Sequence, residues 1–102
     1  MIGPLPSRDA VLSALTDHGV ALRRLGVRRI ALFGSAARDE ATPTSDLDFL
    51  VDLEAKTFDG YMSVKEYLER LFQRPVDLVL SDAIKPRLRR GILQEAVYAE
   101  GF

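Results

Sequence analysis

The chain has 102 residues, 47% of them hydrophobic and 28% charged, which fits one globular domain with a single modest core and excludes a disordered segment. Fourteen basic against 15 acidic residues leave a net charge of −1, so direct nucleic-acid binding through a basic surface is not expected. Cysteine is absent, no apolar run approaches membrane-spanning length, and Met1–Pro6 lack the basic and apolar regions of a leader, so disulfides, thiolate metal sites and membrane contact are excluded and a cytoplasmic protein is expected.

Prolines at 4 and 6 precede Ser7, an N-cap, with Asp9 in the first helical turn. Val11, Leu12, Leu15, Leu22 and Leu25 then recur at helical spacing, and Gly26 stops that helix. His18 falls on or beside the stripe and reads as a partly buried helix histidine. Arg23, Arg24, Arg28 and Arg29 read as a solvated cluster around the helix end. Val27–Phe33 is the first strand. After Gly34-Ser35, a short helix over 36–40 leads into a loop over 41–45 with Pro43 as its breaker.

Asp46–Leu53 is the second strand. Thr57 and Asp59 cap a helix running to about Phe72, with Phe58, Tyr61, Val64, Leu68, Leu71 and Phe72 on its inner face and a Glu66–Arg70 pair outside. Val76–Leu80 is the third strand. Pro86 starts a last helix whose stripe is Leu88, Ile92, Leu93 and Ala96; its basic run, Lys85, Arg87, Arg89 and Arg90, suits a solvated face, a triphosphate or an acidic partner. Helices and strands alternating in this order predict an α/β two-layer domain over residues 1–102.

Alternation places Asp46 and Asp48 on one face of the second strand, with Leu47, Phe49 and Val51 on the other. Two carboxylates side by side repel unless a cation or a proton intervenes, and an oxygen-only donor set suits Mg²⁺ or Mn²⁺. Asp77, with Val76, Leu78 and Leu80 on the opposite face, joins them if the second and third strands are neighbours. That is the layout of a two-metal phosphoryl or nucleotidyl transfer centre. Glycine at 34 lets the backbone approach a phosphate, Ser35 can cap the short helix while its hydroxyl faces an anion, and Arg38 adds a charge. The Lys-Ser/Thr pair of a Walker A loop is missing. Taken singly, Gly-Ser is a common turn, Asp-x-Asp an Asx turn or strand-entry cap, and Asp77 a strand-edge acid. Their conjunction carries the signal. Asp52 shares the acidic face and reads as a solvated strand-end residue.

Gly34-Ser35, ten intervening residues and Asp46-Leu47-Asp48 resemble the signature of the polymerase-β-like nucleotidyltransferase superfamily, and the flanking text resembles its minimal nucleotidyltransferase (MNT) branch. The similar stretches are Leu32–Arg38, Ser45–Val51, Val76–Val79 and Ile92–Tyr98. Asp39 departs from the usual glycine, at a position where aspartate tolerates left-handed backbone. The resemblance implies a mixed three-stranded sheet flanked by helices, with two Mg²⁺ ions as cofactors and ATP as substrate. It further implies an antitoxin paired with a HEPN ribonuclease toxin from an adjacent gene, silenced by transfer of AMP to its tyrosine. Asp46 and Asp48 would ligate both metals, Asp77 the catalytic metal while helping to deprotonate the acceptor, and Gly34 and Ser35 would hold the triphosphate. The alternatives are an antitoxin acting by occlusion alone and a nucleotidyltransferase for a small acceptor of the aminoglycoside kind. No acceptor-gripping second domain is expected, so a partner supplies the acceptor; a homodimer or hetero-oligomer is compatible with that reading.

Overall fold

A computed structural model describes residues 7–102; the prolines at 4 and 6 and the stretch Met1–Pro6, on which the expectation about a leader rests, lie outside the described residues. Helix α1 (Arg8–Asp17) begins at Ser7, whose side chain accepts the Ala10 N–H. The expected single helix is in fact two. His18 leaves helical geometry at φ −97° and ψ 14°, and α2 (Gly19–Arg24) restarts after it. Asp17 sits at the helix end that the dipole makes unfavourable for an acid, and Gly19 is the weakest helix former nearby, so the seven-residue gap in the apolar stripe marks a break. Gly26, at φ +99°, ends the second helix as expected.

Strand β1 (Val27–Phe33) pairs antiparallel with β2 (Leu47–Leu53), and β2 pairs parallel with β3 (Val76–Leu80) through helix α3 (Phe58–Phe72). Helix α4 (Pro86–Glu95) runs directly into β4 (Val97–Tyr98), antiparallel to β1. The mixed sheet therefore has four strands in the order β3-β2-β1-β4, not three. A two-residue strand is below the length at which alternation can be read, which is why the final segment looked only helical.

Leu47, Phe49, Val51 and Leu53 are all buried on the face covered by α1, α2 and α3, where Leu15, Leu22, Val64 and Leu68 are fully inside. Phe49 stacks on Phe72 with ring centroids 5.6 Å apart. On α3, Tyr67 rather than Phe58 joins this layer: Phe58 is exposed, and the Tyr67 hydroxyl meets His18 Nδ1 at 2.5 Å. Glu66 and Arg70 form no ion pair with each other among the described residues. The opposite face carries a smaller apolar patch of Ala31, Leu50 and Ile84, against which Ile92 and Ala96 of the α4 segment pack. Leu88 and Leu93, expected in the same stripe, are exposed. No helix among the described residues is long and apolar enough to cross a membrane.

Candidate active site

The site begins where β1 ends. Gly34 takes φ +76°, a left-handed conformation that favours glycine, and a Cβ there would run into the carboxylate of Asp48. Absence of a side chain at 34 is thus what admits an acid at 48. Beyond it the chain closes into a 3₁₀ turn over Ala36–Arg38: Gly34 C=O accepts the Ala37 N–H at 3.1 Å, and Ser35 C=O accepts the Arg38 and Glu40 amides at 3.1 and 2.8 Å. The expected short helix is shorter, and the Ser35 side chain makes no capping bond. Asp39 is left-handed at φ 56°, and its Oδ1 accepts the first amide of α1, that of Arg8, at 2.8 Å. The residue that departs from glycine thereby adds a cap that glycine lacks.

The connector is held by its own hydroxyls. Ser45 Oγ accepts the Thr42 N–H at 2.9 Å, Arg74 Nη1 donates to Ser45 C=O at 3.0 Å, and the Leu47 N–H donates to Pro75 C=O at 3.2 Å. These bonds fix the entry to β2. Asp46 is exposed one residue before the strand, and Asp48, half-buried, lies in it opposite Phe33 of β1. Parallel pairing aligns Asp48 with Asp77 of β3, so these two carboxylates stand on one face of adjacent strands. Burial, then the charges of Asp77, Asp46 and Glu95, push the Asp48 carboxyl up to about 6. The face that packs Leu47 and Phe49 cannot take such a charge; the face bearing Asp48 is left open to solvent on one side.

Glu95, which sequence reasoning assigned no role, also belongs here. Its Oε1 accepts the Gly34 N–H at 2.8 Å and its Oε2 accepts Arg38 Nη1 at 2.9 Å. Arg38 Nε donates to Glu40 Oε1 at 2.6 Å, and Glu40, then Glu95, raise the guanidinium's already high pKa. Arg38 is therefore brought to the turn, but by two carboxylates. The only sequence signal for Glu95 was its place in the closing stretch Ile92–Tyr98. The other basic residues stay outward: Lys85, Arg87, Arg89 and Arg90 are exposed, and Arg89 Nη1 donates to Ser81 C=O at 3.0 Å. Asp52 is half-buried in β2 opposite Arg29.

Among the described residues no three His, Cys, Asp or Glu side chains form a group that encloses a metal ion by itself. The donor chemistry nevertheless fits a hard divalent cation: the ligands on offer are carboxylate oxygens, and the repulsion that disfavours charge on Asp48 is what a cation would relieve.

Residues 20–99 match the family described as nucleotidyltransferase domain. The chain is 41% identical over 92 residues to the protein adenylyltransferase MntA of Thermococcus cleftensis, covering 88% of this chain and 93% of that protein. A solved structure described as a minimal nucleotidyltransferase superposes with a TM-score of 0.68 at 41% identity, covering 88% of this chain and 86% of the other. The same fold recurs at 18% identity and a TM-score of 0.63, over 89% of this chain and 73% of the other, in a complex of the tri-AMPylated HEPN toxin of Shewanella oneidensis with its MNT antitoxin. With a glycine turn set against paired strand carboxylates, and with four-fifths of its length matching the family, this chain belongs to the nucleotidyltransferase domain family, among its minimal members, and is a nucleotidyltransferase.

Proposed function

We propose that this enzyme transfers AMP from ATP to a tyrosine of a HEPN-type toxin protein encoded beside it, and so acts as that toxin's antitoxin. The observation that carries the reading is the alignment of Asp48 with Asp77 on adjacent strands, beside a turn whose glycine leaves room for the acid. Support for the acceptor comes from the relatives' names: a protein adenylyltransferase at 41% identity, and a shared fold in a complex whose toxin carries AMP.

Asp46, Asp48 and Asp77 are the residues that would hold Mg²⁺, which when bound neutralises the triphosphate and lowers the pKa of an acceptor hydroxyl. The turn at Gly34 and Ser35 would seat the triphosphate, with the Ser35 hydroxyl and the Arg38 guanidinium as its donor and its charge. The tyrosine oxygen bonds to the α-phosphorus as the bond to the bridging oxygen breaks, pyrophosphate leaves, and the hydroxyl proton passes to the Asp77 carboxylate.

Incubation with labelled ATP, Mg²⁺ and the product of the adjacent gene tests this directly. Label is expected on that protein's tyrosine and is expected to vanish with Asp46→Ala/Asp48→Ala. Neutralisation of the partner in cells by the double variant, undiminished, would replace catalysis with occlusion.

A further inference from the structure

Resting on the nucleotide reading above, we propose that Glu95 is a positioning residue for nucleotide binding: it fixes the Gly34 turn and aims the Arg38 guanidinium. The placement comes from β4. Glu95 is the last residue of α4, and β4, two residues on, pairs Val97 with Leu32 and Tyr98 with Ala31, which brings that helix end to the end of β1. Both sides of that residue are tied down. The Ala96 N–H donates to Ile92 C=O at 2.9 Å, and the Ala99 N–H donates to Ile30 C=O at 2.9 Å.

From this anchored point one carboxylate serves two clients. Oε1 takes the Gly34 N–H and Oε2 takes Arg38 Nη1, tying the backbone of the turn to the guanidinium four residues on. Glu40 holds Nε, so two of the three guanidinium nitrogens are committed and Nη2 has no partner among the described residues. An arginine held this way surrenders little rotamer freedom when an anion reaches its remaining edge, whereas a loose one loses that freedom on binding. Glutamine at 95 keeps the shape but has one acceptor oxygen for two donors, and its amide group confronts Arg38 with N–H donors.

Calorimetric titration of the full chain with ATP and Mg²⁺ is the test. E95Q is expected to weaken ATP binding about tenfold, the worth of one charge-assisted hydrogen bond. R38A is expected to weaken it at least as much, and R38A/E95Q by less than the sum of the two single losses, because Glu95 acts in part through Arg38. In amide NMR spectra E95Q is expected to move the Gly34 resonance while leaving those of β2 and β3 in place. R38K, which keeps the charge but loses the fork, is expected to weaken ATP as R38A does, and it provides the same test if E95Q does not fold. Unchanged or tighter binding by E95Q, a loss in R38A/E95Q equal to the sum of both single losses, or full affinity in R38K overturns the inference. Wild-type protein that binds no ATP in Mg²⁺ overturns the nucleotide reading beneath it as well.

Discussion

Strand β2 has two faces with opposite work. Leu47, Phe49, Val51 and Leu53 are each no more than 3% exposed and hold the helical layer in place. Asp48 and Asp52 alternate with them on the other face, around Leu50, and stay half-exposed. The first face is over-determined, since many apolar neighbours fix each residue. The second is electrostatically opposed, because burial and then the charges of Asp77, Asp46 and Glu95 disfavour ionisation of Asp48. One strand can therefore be rigid and chemically loaded together: stability is supplied from the face that does no chemistry.

Phe49→Ala breaks the packed face most severely. Phe49 is fully buried and stacked on Phe72, so its truncation is expected to destabilise the fold by about 3–5 kcal/mol, measured by urea denaturation. Asp48→Asn tests the opposite face. Transfer of AMP is expected to fall at least a hundredfold, on the order of the several kcal/mol that metal-held charge supplies, in an assay with labelled ATP. A fall in both activity and stability on Asp48→Asn would erase the division of labour.

Gly34→Ala lies at the junction of the two faces. A left-handed alanine whose Cβ meets Asp48 is expected to cost about 2 kcal/mol in denaturation and to displace that acid. The pH dependence of stability sharpens the contrast further. Folding raises the Asp48 carboxyl from 3.8 to about 6, so the folded state binds the proton more tightly than the unfolded one. Stability is therefore lost as pH rises from about 4 to about 6, and is flat above that. Without metal, Asp48→Asn is expected to raise the melting temperature at pH 7 and not at pH 3.5. The shift corresponds to about 3 kcal/mol before screening and roughly 1 kcal/mol at this half-exposed position. Mg²⁺ is expected to stabilise wild-type protein and not the variant, in the same thermal scans. Asp39→Ala, which loses a cap on α1 and a tolerated left-handed residue, is expected to cost about 1 kcal/mol with little effect on transfer.

The parts of this site legible in the sequence are those with local causes. Alternation along Asp46–Leu53 put Asp48 opposite the core, and glycine at 34 announced a backbone that other residues avoid. Helix α3 was legible from its cap at Thr57 and its spacing, although Phe58 was taken for a core residue and Tyr67 was not. The split between α1 and α2 was missed because the gap in the stripe was read through a continuous helix, while Asp17, His18 and Gly19 favour its interruption.

Position in sequence cannot say which strands are neighbours. That Asp48 lies beside Asp77 depends on parallel pairing between β2 and β3 through α3, a register set by the packing of Phe49, Leu78 and the helix above them. Glu95 is the clearest case. Sixty-one positions separate it from Gly34, and β4, which follows it and pins the end of α4 to β1, has too few residues to leave a periodic trace. The sequence by itself determined the glycine, the acids and the alternation that keeps them out of the core, because turn chemistry and side-chain period are short-range. Tertiary structure alone decided which carboxylates meet and which one holds the arginine, because hydrogen bonding between distant strands is chosen by the packing of the whole sheet.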